Sequence, residues 1–298
     1  MTSITSITTS TTSTTSTTST EPAIGPAELA DKGFKRLAMH VLIFVIIIGA
    51  WELAGVFNQL NDLLLPAPSK IVVKFVDLWF ISHRIWWHFF VTMYEATAGF
   101  FIGVGIGMSL AISAVVSPVF RRYISPYAIA FNVTPGIAVT PLIIAWFGFG
   151  WSSKIAQATL VCFFAPFINT LTGLLYTDED ATELFRSMRA NKKQYFWKLQ
   201  FPSALPLIIA GFKIALTGAL IGAVVAEFFS ASEGIGILMQ RTSFKLDIAG
   251  SIATLISMSL MGLLFFTLME VLDYKVLYWK RDSRMQQISK KRKAAWNM

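Results

Sequence analysis

The sequence predicts an all-α membrane protein with about six transmembrane helices. Only 14% of its 298 residues are Asp, Glu, Lys or Arg, whereas ordinary soluble domains carry about 25%. Mean hydropathy is +0.59. Apolar segments long enough to cross about 30 Å of hydrocarbon, which takes about 20 helical residues, lie near 37–57, 90–115, 124–147, 155–176, 204–230 and 249–273. These observations exclude a water-soluble enzyme.

The two ends of the chain differ in composition from its apolar body. Residues 1–20 contain 17 Ser or Thr, which cannot bury enough apolar surface to offset chain entropy. We therefore expect a disordered tail over 1–34, and no secretory signal, because this tail has no apolar core. Residues 35–86 are expected to form the first transmembrane helix and an extracytoplasmic segment. The other spans fall within 87–278, and 279–298 is expected to be a basic cytoplasmic tail.

The basic residues predict the orientation of the chain in the membrane. Of the 25 Lys and Arg residues, 18 fall on the side that carries both termini, six fall on the opposite side, and Lys213 lies within a span. Cytoplasmic loops are enriched in Lys and Arg. We therefore expect both termini in the cytoplasm of a multi-pass protein of the inner or plasma membrane. The net charge of +8 reflects this topology, so no nucleic-acid partner is expected.

The longer extracytoplasmic connection, residues 58–89, contains an amphipathic stretch from Ile71 to Phe80. We expect this stretch to form a helix at the membrane interface, where aromatic rings are favoured. Trp79, Trp86 and Trp87 would then lie near lipid headgroups.

The second span carries Gly99, Gly103 and Gly107 at four-residue steps. Residues four apart lie on the same side of a helix. This pattern predicts a small-residue face for close helix packing, and not a nucleotide-binding loop.

The third span, 124–147, is interrupted by Pro135 and Pro141. Proline within a membrane helix frees backbone groups that neighbouring groups must satisfy, and such a broken helix often lines a path. Our candidate residues for a solute pathway are Asn132, Pro135, Pro141 and Glu227. For Glu227, deep in the fifth span, two interpretations remain open: a solute contact, or a carboxylate satisfied inside the bundle.

The sequence shows no pattern of catalytic residues. It has no G-x-x-x-x-G-K-[ST] loop for ATP and no H-E-x-x-H motif. The three histidines have no metal-ligand companions, and a single cysteine, Cys162, excludes an intrachain disulfide. We therefore predict a transport protein without catalytic residues, metal or cofactor. An ion-coupled secondary transporter is the alternative to an ATP-driven one, although no series of acids for a proton relay appears within the spans.

The loop over residues 177–203 holds the densest charge in the body of the chain. Leu184, Met188, Tyr195 and Leu199 follow steps of four, seven and four, which places them on one face of a helix. Such a face has two possible partners: the lipid surface, or a groove on another protein.

The spacing within this loop resembles the EAA signature of permease subunits of binding-protein-dependent ABC importers. That signature is Glu-Ala-Ala, three residues, Gly, nine residues and Ile-x-Leu-Pro. Glu183 takes the Glu position, Arg189 the Gly position and Leu199 the Ile position, and Phe201 with Pro202 takes the Leu-Pro pair.

Other segments, in the same order along the chain, resemble the nitrate/taurine/sulfonate branch of these permeases. They are Leu65-Pro66-Ala67-Pro68-Ser69, Thr134-Pro135, the run Thr140–Gly150, Pro202–Pro206, and Glu227 with Gly234-Ile235-Gly236. Because Arg189 replaces the glycine at the turn between two short helices, Ala190 and Asn191 are alternative positions for that turn.

The resemblance implies a type I ABC importer permease that passes a small solute across the membrane. The solute would be nitrate, a sulfonate such as taurine, or a related small molecule. The implied partners are two copies of an ABC ATPase subunit, a second permease copy in a homodimer, and an extracytoplasmic solute-binding protein. The residues implied to contact the ATPase are Glu183, Leu184, Arg186, Met188, Arg189, Ala190, Tyr195, Leu199, Phe201 and Pro202.

Overall fold

The computed structural model describes residues 26–57, 63–230 and 232–277. The chain divides into two compact units, with the boundary between Leu53 and Ala54. The described part of the first unit is formed by α1 (Pro26–Val56), whose last three residues belong to the second unit. Its stretch Ala38–Val56 has a mean hydropathy of 2.1 and is apolar enough to cross a membrane.

Helix α1 begins earlier than the sequence led us to expect. Its first residue is Pro26, so 26–34, which we assigned to the disordered tail, is helical. Proline is accepted at the first position of a helix, and the Ala, Glu and Leu residues that follow favour helix. Residues 1–25 and the basic tail from 278 onward lie outside the described residues.

The second unit contains the remaining helices, and the described part of the chain has only helical elements. The bounds are α2 (Pro68–Val76), a π-helical turn (Asp77–Ile81), α3 (Arg84–Val116), α4 (Pro118–Val133), α5 (Gly136–Phe147), α6 (Trp151–Cys162), α7 (Phe164–Leu175), α8 (Glu179–Ser187), α9 (Lys192–Tyr195), a second π-helical turn (Phe196–Gln200), α10 (Phe201–Ser230), α11 (Ile235–Phe244) and α12 (Ile248–Val276).

The span prediction is confirmed. Five helical stretches of the described chain are long and apolar enough to cross a membrane, and a bent pair makes up to six. The bent pair is α4 with α5, whose axes turn by 100° at Thr134 and Pro135. The predicted third span is therefore broken at Pro135, which lacks a backbone donor, whereas Pro141 lies inside α5 and does not interrupt it.

The core of the second unit forms where α3, α6, α7 and α10 pack together. The glycine face of α3 is confirmed, because a Cβ atom at Gly99, Gly103 or Gly107 would overlap atoms of α6 and α7 or their junction. Only glycine lets the two backbones approach this closely.

Helix α2 packs along α12, and polar contacts hold the two together. Lys74 Nζ lies 2.7 Å from Asp247 Oδ2, and Trp79 Nε1 donates to Ser257 Oγ at 2.9 Å. The ring of Trp79 also joins an aromatic cluster with Trp86 and Phe89, and the position of these rings near lipid headgroups stays a prediction.

Lys213, the basic residue inside a span, pairs with acids of α12. Its Nζ lies 2.5 Å from Asp273 Oδ2 and 3.9 Å from Glu270 Oε2. The ion pair joins α10 to α12 over a separation of 60 residues.

Candidate functional site

The 177–203 loop begins with a capped helix. The Asp178 side chain accepts a hydrogen bond from the Ala181 amide at 2.9 Å, which satisfies one of the free donors at the start of α8. Glu179 and Asp180 occupy the first turn, where the helix dipole favours negative charge. Local sequence alone therefore accounts for the start of this helix.

Helix α8 ends in a Schellman motif centred on Arg189. The Ala190 amide donates to Phe185 O at 3.0 Å, and the Arg189 amide donates to Arg186 O at 2.9 Å. Arg189 has a φ of +51°, the left-handed conformation that usually selects glycine at this position. Arginine thus adopts the backbone conformation expected of the signature glycine, and the turn does not shift to Ala190 and Asn191.

The second short helix starts immediately after this turn. Asn191 and Gln194 form a reciprocal capping box: each side chain accepts from the other's amide, at 2.8 and 3.0 Å. The hydroxyls of Thr182 and Tyr195 lie 3.3 Å apart and connect the two arms of the loop. The loop is therefore a defined helix–turn–helix, held by its own hydrogen bonds.

A widened helical turn then leads into α10. The Phe201 amide donates to Phe196 O, five residues earlier, directly before Pro202. Proline cannot donate and its ring crowds the preceding turn, which accounts for the wider turn at this point. From Lys192 to Ser230 the helical run is 39 residues long.

The apolar residues of the loop do not share one face as predicted, because the turn at Arg189 separates them. Leu184 and Met188 are 58% and 60% exposed, whereas Tyr195 and Leu199 are half-buried. Trp197 is 63% exposed. Sequence reasoning missed Trp197, although a large aromatic side chain among basic residues was an available signal.

The remaining predicted loop residues are placed as follows. Glu183 and Arg186 are exposed on α8, and Phe201 and Pro202 are half-buried at the start of α10.

The pathway candidates fall into two groups. Asn132, Pro135 and Pro141 are exposed around the break between α4 and α5. An apolar groove of about 950 Å³ lies between α3, α4, α5 and α6; its lining includes their chain neighbours Phe131 and Leu142 but none of the three themselves. Glu227 is fully buried instead, so the structure does not bring all four together.

Glu227 is hydrogen-bonded inside the bundle. Its Oε1 accepts from Thr92 Oγ1 at 2.6 Å, and its Oε2 accepts from the Gly236 amide at 2.6 Å. Gly234 has a φ of +118°, and a Cβ there would overlap the Glu227 carboxylate. These contacts favour the interpretation of Glu227 as a carboxylate satisfied in the bundle interior, where it joins α10, α3 and α11.

Two further ionisable side chains interact with Glu227, and sequence reasoning did not bring them together. Glu95 on α3 is 1% exposed and Lys154 on α6 is 2% exposed. Lys154 Nζ donates to the Phe149, Gly150 and Ser230 carbonyl oxygens at 2.5, 3.1 and 2.9 Å. We call Glu95, Lys154 and Glu227 the buried charge cluster.

Metal ligands are not clustered in the described parts of the chain, where no three His, Cys, Asp or Glu residues come together to hold an ion. The features that stand out are mechanical: long apolar helices, one span broken at Pro135, and a helix–turn–helix with exposed apolar side chains. Together they define a multi-pass membrane permease.

The chain belongs to the family of binding-protein-dependent transport system inner membrane components, whose model matches residues 103–278. The formylaminopyrimidine transport permease protein ThiX of Halalkalibacterium halodurans is 33% identical over 242 residues, which cover 80% of this chain and 95% of ThiX. The putative aliphatic sulfonates transport permease protein SsuC of Bacillus subtilis is 32% identical over 242 residues, which cover 81% of this chain and 87% of SsuC. The taurine transport system permease protein TauC of Escherichia coli is 24% identical over 210 residues, covering 69% and 76%.

A solved structure has the same fold. The MetNI methionine ABC transporter in an inward-facing conformation matches with a TM-score of 0.56 at 18% identity, covering 67% of this chain and 97% of that one. The predicted family and type I importer fold are confirmed. The chain is the permease subunit of an ATP-driven importer, and a separate subunit hydrolyses ATP.

Proposed function

We propose that this permease forms a homodimer, binds two ATPase subunits through the 177–203 loop, and imports a small solute that a binding protein delivers from outside. The observation that carries the coupling role is the helix–turn–helix at Arg189, which leaves Leu184 and Met188 exposed. Exposed apolar anchors on a short helix are what a groove on a partner protein recognises.

The continuity of helix from this loop into α10 supports a mechanical role. The run from Lys192 to Ser230 ends near Glu227, which bonds α3 and α11. Movement of the loop, driven by closure of the ATPase pair, would displace α10 and rotate these neighbours as a rigid body. The proposed cycle alternates between inward-facing and outward-facing states in this way.

The proposed topology has both termini, and with them the 177–203 loop, in the cytoplasm of a cell-membrane protein. The distribution of 18 against six basic residues supports it. The proposed domain organisation has an N-terminal tail, a first transmembrane helix with an extracytoplasmic segment up to residue 86, a permease core over 87–278 and a basic tail over 279–298.

The proposed solute is a small sulfonate, nitrate or a related small molecule. The named transport of sulfonates by SsuC and of taurine by TauC supports this class. We place the pathway along the break between α4 and α5, with Asn132, Pro135 and Pro141 beside it, because non-helical backbone at membrane depth normally faces protein or a water-filled cavity.

Coupling is tested by replacing Glu183 with Lys and Leu184 with Asp together. We expect the variant to insert in the membrane and elute as a single species, but to lose co-purification with the ATPase and solute-stimulated ATP hydrolysis. Leu246→Asp is the matched control, since Leu246 is 61% exposed and lies beyond the other end of α10. Normal ATPase binding and transport by the loop variant would refute the coupling role.

A further inference from the structure

A basic pocket lies between two parts of the second unit, beyond the end of α10 that is distant from the 177–203 loop. It has a volume of about 270 Å³. One wall comes from α2, its π-helical turn and the start of α3, and the other comes from α11 and the start of α12. Its lining residues are Lys74, Asp77, Leu78, Arg84, His88, Leu238, Arg241, Thr242, Lys245, Asp247 and Gly250.

Positive charge exceeds negative charge in this pocket, which has four Lys or Arg residues and two Asp residues. Lys74 and Asp247 neutralise each other at 2.7 Å. Burial by itself would raise the pKa of Asp247. The hydrogen bonds from Lys74 and from the Gly250 amide, together with the positive charge of Lys74, have the larger effect and hold that pKa below its usual value. The negative charge of Asp247 is therefore already paired with Lys74.

The other cations of the pocket have no such partner. In the part of the chain that the structure describes, no carboxylate lies within ion-pair distance of Arg84, Arg241 or Lys245. Arg241 uses one N–H to donate to Ser232 O at 2.9 Å, which orients its guanidinium and leaves other donors available. Asp77 offsets one of these three positive charges, so the lining keeps two positive charges in excess. Like charges around one cavity repel each other, and a bound anion would relieve this repulsion.

His88 adds a neutral donor to the same pocket. The Gly234 amide donates to His88 Nδ1 at 2.9 Å, so Nδ1 is the accepting nitrogen and, in the neutral ring, Nε2 carries the proton. The pocket thus combines a guanidinium fork, lysine and arginine charges and an imidazole N–H, which is the donor set suited to sulfonate, carboxylate or phosphate oxygens.

We propose that this pocket binds one small oxyanion group between Arg84, Arg241 and Lys245. The volume equals that of about nine liquid waters, enough for a small organic anion or for the phosphate of a lipid headgroup. The binding does not depend on the coupling role of the 177–203 loop, so the two proposals fail separately.

The test uses the full chain with its ATPase partner in nanodiscs of phosphatidylcholine, at constant ionic strength maintained with chloride. Methanesulfonate is titrated by calorimetry as the free-anion probe, and phosphatidylglycerol replaces part of the lipid in a second arm. We expect saturable binding in at least one arm, weakened at least tenfold by Arg241→Gln combined with Lys245→Gln. Binding in the first arm identifies a free anion, and binding only in the second identifies a lipid headgroup.

Lys70→Gln is the matched control, because Lys70 lies on α2 one turn before Lys74 but does not line the pocket; its binding should equal that of the unchanged protein. Lys245→Gln alone removes one positive charge and leaves the Arg241 contact to Ser232 O intact. Its affinity for the anion should lie between those of the unchanged protein and the double variant. No saturable binding in either arm, or equal binding by the double variant and the unchanged protein, would overturn the proposal.

Discussion

Replacing Gly107 with alanine places a methyl group against the backbone at the junction of α6 and α7. The new Cβ would lie 3.0 Å from Phe167 N and would overlap Phe163 O, whereas at Gly105, on the same helix, it would meet no atom within 4 Å. Because backbone atoms cannot rotate away as a side chain can, α3 must move away from its neighbours. Overpacking of this kind costs about 1–3 kcal/mol.

Both substitutions share the same gain in helix stability, about 0.5–1 kcal/mol for Gly→Ala within a helix. The difference between them is therefore the packing cost alone, about 1–3 kcal/mol. At about 2–4 °C per kcal/mol for a chain of this size, the apparent melting temperature of Gly105→Ala should exceed that of Gly107→Ala by about 2–12 °C.

The assay is tryptophan fluorescence during heating, in one detergent and at one scan rate, because membrane proteins often unfold irreversibly. Gly105→Ala should melt at or above the temperature of the unchanged protein, and Gly107→Ala below it. Equal melting temperatures for the two variants would refute the close approach of the backbones at Gly107.

Three further predictions concern local contacts. Arg189→Gly should stabilise the loop by about 1 kcal/mol by removing left-handed strain, seen as about fivefold slower hydrogen exchange at the Ala190 amide; unchanged exchange would contradict it. Glu227→Leu should lower the free energy of unfolding by about 1–3 kcal/mol, because the buried Gly236 amide loses its acceptor. Glu227→Gln keeps an acceptor oxygen and should be milder in the same melting assay; equal melting temperatures of the two variants would count against this. The stability difference between the unchanged protein and Asp247→Asn should be constant at neutral pH and shrink as pH falls through the lowered pKa of Asp247; a difference that grows in acid would contradict the assignment.

Much of the fold follows from periodicity and length, as the spans do. The glycine steps in α3 also predicted its packing face, because a four-residue spacing determines which side of a helix a residue occupies. The 100° bend after Val133 was not predictable in size. Proline marks where a helix can break, whereas neighbouring helices determine the angle.

The site was less predictable, since its contacts join residues far apart in sequence. Thr92 and Glu227 are 135 residues apart, and no local pattern encodes that meeting. The conformation of Arg189 shows a different limit. An arginine at the glycine position of the signature suggested that the turn would move to Ala190 and Asn191. Instead, the hydrogen bonds of the Schellman motif outweigh the cost of the left-handed backbone at Arg189.

The ion pair between Lys213 and Asp273 has a consequence for biogenesis. A charged residue costs about 2.5–3.5 kcal/mol on insertion at the centre of a transmembrane helix, and less toward its ends. Lys213 leaves the ribosome 60 residues before Asp273. The ion pair of Lys213 can therefore form only after α12 has been synthesised. We therefore expect a nascent chain truncated before α12 to hold Lys213 in the membrane without its ion-pair partners.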